Sequence, residues 1–199
     1  MIKISTKYKG KHYYHADRKI IFDRVCGAIG WPGERQGFAV VVGEKDMGRN
    51  GINRFILAEA TAKSFGELLS DCLKIQKRME LKRWETVFVP GAEKYIDIFN
   101  AKAFEKGTDR IASVDEPLEA NEYIQMSVEL ILDAVRSGNK NLHFFKDSSL
   151  PADLQSLPSN TSKLKIVEYP SVAALGFVIS YMEEFKKPSP YVVRENAPY

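Results

Sequence analysis

Three apolar, β-rich runs follow one another between Val25 and Ala60 with a helix signal directly behind them, and this order leaves few ways for the chain to fold. Val25 to Trp31 (VCGAIGW) reads as a buried strand, Pro32 and Gly33 punctuate it, and Gly37 to Glu44 (GFAVVVGE) is a second strand rich in β-branched residues. Gly33 to Gln36 suit a hairpin loop. Turn chemistry at Gly48 to Gly51 precedes a third strand, Asn53 to Ala60, so the domain opens as an antiparallel meander. Ser64 followed by Glu67 is a capping box, and Phe65, Leu68, Leu69, Cys72, Leu73, Gln76 and Met79 recur at helical spacing, which predicts a helix over 64–80. A helix with one apolar stripe needs a sheet to lie on. Thr86 to Val89 is a short apolar strand that stops at Pro90 and Gly91, and its connection to the third strand through a helix implies a parallel crossover.

The remainder alternates helices with short extended segments. Tyr95, Ile96, Ile98, Phe99 and Phe104 suggest a short helix. After an acidic loop over Asp115 to Glu119, Ile124, Val128, Ile131, Leu132 and Val135 form the stripe of an amphipathic helix that ends at Gly138. Leu142 to Phe145 reads as a strand leading to a small helix at Pro151 to Leu157. Leu164 to Tyr169 is extended, Pro170 interrupts it, and Ser171 caps a last helix that is apolar nearly all round until Glu183. Residues 186–199 hold three prolines and no apolar period, and read as a tail. Residues 1–24 read as a basic-aromatic arm: Lys7, Lys9, Lys11, Arg18 and Lys19 are interleaved with Tyr8, Tyr13, Tyr14, His12 and His15. Such a segment suits a nucleic-acid arm, because cations meet phosphates and rings stack on bases, and it equally suits an extension that packs its rings on the domain. The expected domain is residues 25–185.

Composition narrows the class. A chain of 199 residues with 44% hydrophobic and 28% charged residues can bury one sizeable core, which excludes global disorder. No apolar stretch approaches the ~18 residues of a membrane span, and the first residues lack the apolar core of a secretory signal, so a soluble cytoplasmic protein with no membrane partner is expected. Two cysteines, Cys26 and Cys72, each in an apolar run, are too few for a disulfide framework or a structural zinc site and read as core residues. The net charge of +3 permits a nucleic-acid partner without demanding one.

The order β-β-β-α-β-α-β-α is that of a ribonuclease-H-like α/β domain, a mixed five-stranded sheet in which a three-stranded antiparallel meander continues into parallel strands with flanking helices. Over residues 25–185 the chain resembles the C-terminal nuclease domain of phage large terminase subunits. Three details carry the resemblance: Gly-x-x-x-Trp at Gly27 to Trp31, a helix ending Arg-Ser-Gly before a short strand and a small helix (Arg136 to Leu157), and a final helix beginning Ala-Ala-Leu-Gly-Phe. The resemblance implies a phage or prophage protein of the bacterial cytoplasm, with DNA and other packaging proteins as partners. It also implies a site in which an aspartate of the first strand, an acid ending the fourth and an aspartate opening the last helix hold two divalent ions, since only several carboxylates offset that much positive charge. Here Gly30, Pro90 or Gly91, and Ala173 stand in those places, and none ligates through a side chain.

Displaced acids are the fallback, with Glu34 in the hairpin turn, Glu59 ending the third strand and Glu93 behind the fourth as candidates for a Mg²⁺- or Mn²⁺-dependent catalytic cluster. Ordinary solvated acids are the competing reading. His12, His15 and His143 have no metal-ligand spacing, Ser148 and Ser149 have no nucleophile elbow around them, and Gly27, Gly30, Gly33 and Gly37 are followed by a strand rather than a phosphate-binding helix. Trp31 is a candidate stacking residue beside Lys7, Lys9, Lys11, Arg18 and Lys19 for weak, sequence-independent DNA binding, with packing in the domain as its competing role. Three functions stay open: a non-catalytic binding or assembly module needing no cofactor, an active two-metal nuclease, and a module that binds only proteins.

Overall fold

In the computed structural model, which describes residues 2–5, 12–15, 18–31, 36–81, 84–86, 93–105, 112–113, 128–129, 131–132, 142–158 and 169–184, the chain begins with a small antiparallel sheet. Its strands are β1 (Ile2–Ser5), β2 (His12–His15) and β3 (Ile20–Phe22), in that spatial order. Residues 2–5, 12–15 and 20–22, expected within an arm that either meets nucleic acid or packs on the domain, are thus strands of a sheet. Ile2 to Ser5 alternates apolar with polar residues at the strand period, and the segment is tied to the rest of the chain. Tyr13 Oη donates to the Glu80 carbonyl at 3.2 Å, and Phe22 is buried, its ring 5.6 Å from that of Phe55.

The main sheet comprises β4 (Arg24–Gly30), β5 (Gly37–Asp46), β6 (Ile52–Ala62), β7 (Trp84–Thr86), β8 (Ala112–Ser113) and β9 (Leu142–His143). Spatially they run β8-β7-β4-β5-β6-β9, and β5 alone opposes the other five in direction. The meander and the helical crossover to a strand parallel to the first and beside it are as the sequence predicts. That strand, however, is Trp84–Thr86, which shares only Thr86 with the expected Thr86 to Val89, whose last three residues lie outside the described ones. The strand count also differs from the expectation: it is six among the described residues, because the two-residue β8 sits in a stretch with no apolar run to announce it. The strand expected at Leu142 to Phe145 is present as Leu142 and His143 and extends the sheet at the β6 edge, parallel to β6.

Both faces of this sheet are covered, which explains why β5 is apolar without alternation. Phe38, Val40 and Val42 of β5 share one layer with Ala28, Ile56, Val128, Ile131 and Leu132, with Leu150 and Leu154 of α3 (Leu150–Gln155), and with the inner face of α4 (Pro170–Glu184). Ala39 and Val41 face the opposite layer, built by α1 (Phe65–Met79) and α2 (Glu93–Glu105). The ladder between β5 and β6 slips between Val41 and Val42, where Leu57 is the extra residue of a bulge.

Helix α1 starts as its capping box requires. Ser64 is extended and its Oγ accepts the Glu67 amide at 3.4 Å, while Leu68, Leu69, Cys72, Leu73, Ile75, Gln76 and Met79 are buried. Helix α4 starts two residues earlier than expected. Pro170, lacking an amide hydrogen and fixed near helical φ, is its first residue, and the Ala173 amide donates to the Tyr169 carbonyl at 2.9 Å. Ser171 is therefore inside the helix and buried. The apolar character of α4 all round follows from burial of 171–176, 178–180 and 182. The acidic loop, the end of the predicted helix at Gly138, the segment 164–168 and the tail lie outside the described residues.

Candidate functional site

The C-terminal end of β4 meets the start of α4, the meeting that the resemblance makes the centre of a metal site. A Cβ placed on Gly30 would lie 2.3 Å from the carbonyl oxygen of Pro170 and 3.0 Å from its carbon, so the two backbones fill the space that a side chain would need. Ala173, 2% exposed, is packed into the layer beneath α4. Glu34, Pro90 and Gly91 lie outside the described residues, and Glu93 is the first residue of α2.

Glu59 has a position and an occupation. One carboxylate oxygen accepts from Ser148 Oγ, and the other accepts from the Ser149 amide at 3.0 Å and Ser149 Oγ at 3.4 Å. Ser149 is the N-cap of α3 but makes no side-chain cap bond of its own, so the glutamate of β6 supplies the acceptor from across the fold. Spacing could not reveal this pairing, because 89 residues separate Ser148 from Glu59. Among the described residues no group of three or more His, Cys, Asp or Glu side chains could hold a metal ion.

Trp31 is 3% exposed. Its ring centroid lies 5.7, 6.0 and 6.1 Å from those of Phe65, Tyr95 and Phe99, and Phe65 and Tyr95 stack at 4.6 Å. The surrounding protein rings take the contacts that a nucleobase would need, which corrects the expectation of a stacking platform. Of the basic cluster, Lys7, Lys9 and Lys11 lie outside the described residues. Arg18 and Lys19 are exposed in the turn from β2 to β3, where Lys19 adopts φ +53°.

Arg18 places its guanidinium carbon 5.5 Å from the centroid of Phe55, whose other stacking partner is His143 at 4.4 Å and an interplanar angle of 11°. His143 Nε2 is 2.8 Å from Asn53 Oδ1, an acceptor that assigns the neutral ring's proton to Nε2. Burial first, and the Arg18 charge second, hold the His143 pKa below its ordinary value. Cys72 is buried, and burial followed by the nearby Asp71 charge pushes its thiol pKa up, which keeps it protonated and unreactive.

The same end of the sheet carries an open groove of about 640 Å³ lined by Asp23, Arg24, Glu44, Lys45, Asp46, Gly48 and Ile52. Its charges are spent on one another. Asp23 accepts from Lys45 Nζ at 3.0 Å and the Asp46 amide at 2.9 Å, Asp46 accepts the Gly48 amide at 2.7 Å, and Arg24 Nη1 donates to the Met182 carbonyl at 2.9 Å. Arg54 bridges the buried Glu44, 3.2 Å from its Nε, and Glu183 of α4. The groove therefore binds the N-terminal sheet, the β5–β6 hairpin and the end of α4 together.

The fold and its sites define an α/β protein with a mixed sheet covered on both faces, and no helix among the described residues is long and apolar enough to cross a membrane. No family model matches the chain, and no curated protein or solved structure is significantly similar to it.

Proposed function

We propose that the chain is a non-catalytic binding or assembly module of ribonuclease-H-like architecture, resembling a phage terminase nuclease domain that has exchanged its metal-binding acids for packing. The strand order supports the architectural half of the reading: a meander, a helical crossover to a strand parallel to the first and beside it, and a further parallel strand beyond. One observation carries the functional half. The backbone of Pro170 occupies the place where a first-strand carboxylate would have to project from position 30. Two-metal hydrolysis needs several carboxylates around ions about 4 Å apart, and a site without the first of them has no bridging ligand at its centre. Such a module acts through its surface, on DNA held weakly and without sequence preference or on packaging proteins in the bacterial or phage-infected cytoplasm.

The competing nuclease would draw on Glu34, Glu59 and Glu93. Recruiting Glu59 means removing the acceptor that opens α3, because both of its oxygens already bond Ser148 and Ser149. Incubation of supercoiled plasmid with the full chain and millimolar Mg²⁺ or Mn²⁺ tests the reading: the expected result is no nicking. Metal-dependent nicking that disappears in Glu59→Gln overturns it.

A further inference from the structure

The positive charge of this chain is concentrated. Residues 1–24 and 74–83 contain twelve of the 29 Lys and Arg residues but only three of the 26 Asp and Glu, so the remainder of the chain is net acidic. The fold joins these two segments. Strand β1 packs beside α1, and the Tyr13 hydroxyl of β2 donates to the Glu80 carbonyl that ends α1. Lys74, Lys77 and Arg78 lie at i, i+3 and i+4 on the face of α1 opposite its buried stripe, and all three are exposed. Cations in a last helical turn complement the helix dipole, which accounts for Lys77 and Arg78 as local stabilisers. The dipole does not account for Lys74, which precedes that turn and pairs with the partly exposed Asp71 at 2.7 Å. Nor does it account for the second basic segment docked alongside.

We propose that Lys74, Lys77 and Arg78 form a binding face for the phosphate backbone of double-stranded DNA, near the end of α1 that the N-terminal sheet meets through Tyr13 and Glu80. The face lies at the end of α1 away from Trp31 and the Gly30–Pro170 contact, and it is separate from any site implied by the resemblance. It deepens the reading of the chain as a binding module and rests on that reading for its non-catalytic role. Two lysine ammoniums and the Arg78 guanidinium at i, i+3 and i+4 give a row of positive charge on one exposed helical stripe, which suits contacts to phosphates that are indifferent to sequence. The surrounding basic sequence adds long-range attraction that raises the rate of encounter.

The test is fluorescence anisotropy of a short labelled duplex titrated with the full chain, in EDTA, at salt concentrations from about 50 to 200 mM. Binding is expected at the low-salt end. The Lys74→Gln, Lys77→Gln, Arg78→Gln triple variant is expected to bind at least about tenfold more weakly, with a salt slope shallower by about two to three and the same loss on two unrelated sequences. A control variant, Lys63→Gln with Lys146→Gln, removes exposed charge elsewhere and should bind nearly as the wild type; circular dichroism confirms that both variants fold. No binding at low salt, wild-type affinity in the triple variant, or an equal loss in the control overturns the proposal. Polyglutamate competing as well as DNA also overturns it, in favour of an acidic protein partner. Because EDTA excludes metal-dependent cleavage, this result and the plasmid assay fail independently of one another.

Discussion

Two glycines separate packing from propensity at the scale of single residues. Gly30 is backed by the Pro170 backbone, which cannot swing aside as a flexible side chain would, whereas Gly66 in α1 has nothing within 4 Å of where its Cβ would be. Gly30→Ala should therefore lower stability by about 1–3 kcal/mol, the usual cost of overpacking, as strand and helix are forced apart. Gly66→Ala should raise it by about 0.5–1 kcal/mol through helix propensity alone. Urea midpoints of the two variants moving in the same direction would contradict this account. His143 makes a second residue-scale prediction, with a definite sign. Its folded-state pKa is lowered, so as pH falls the unfolded chain takes up the proton first. The stability it contributes is fully present above the ordinary histidine pKa and is lost as pH falls from there towards the lowered folded value. Phe55 stacks on one face of the ring and Asn53 meets its Nε2 edge, with Arg18 a charge that opposes protonation. Between about pH 7.5 and 5.5 the wild type should lose more stability than His143→Gln, measured by urea denaturation at each pH.

Elements show which parts of the fold the chain states locally and which it leaves to partners. Helix α1 was legible because its start is written in Ser64 and Glu67 and its stripe repeats at helical spacing; Ser64→Ala should cost about 0.5–2 kcal/mol, read as a lowered thermal midpoint. Strands β4 to β6 were legible because β-branched runs between turn residues have few alternatives. The N-terminal sheet was not, since its strands are three or four residues long and their ladder depends on segments that say nothing of each other. Strand β8, two residues long, is defined only by the neighbour that it pairs with, whereas β9 is the first half of the apolar run read as a strand at Leu142 to Phe145. The candidate site divides in the same way. That Gly30 and Ala173 lack ligating atoms can be read from the sequence, but that Pro170 fills the gap, that Glu59 serves α3 and that Trp31 is enclosed by rings are facts of tertiary contact. Phe22 tests whether the N-terminal sheet belongs to the folded unit. It is 2% exposed against Phe55 and the Gly43 backbone, so Phe22→Ala should cost about 3–5 kcal/mol, a loss that a loosely attached arm would not produce.

At the scale of the whole molecule, two apolar layers sit on opposite faces of one sheet, and the ionic network at the end of the sheet joins elements from both ends of the chain. Arg54 of β6 bridges Glu44 of β5 and Glu183 of α4, while Arg24 of β4 donates to the Met182 carbonyl. Side-chain exposure is 14% for Arg54 and 10% for Glu44, so removing the guanidinium strands a carboxylate that water barely reaches. Arg54→Met should therefore cost about 3–5 kcal/mol, the range for breaking a buried pair from one side. Adding Glu44→Gln should recover part of that loss, because a neutral amide tolerates the same burial with less penalty. Both tryptophans, Trp31 and Trp84, lie in the α1–α2 layer, while Glu183 extends from the helix on the other face, so tryptophan fluorescence reports on a region that does not include the α4 end of the network. If the sheet couples its two faces into one cooperative unit, fluorescence and circular dichroism of Arg54→Met should shift to the same lower urea midpoint. A fluorescence midpoint left at the wild-type value while the dichroism moves would mean that the two layers unfold separately, and that the network stabilises only the face to which α4 belongs.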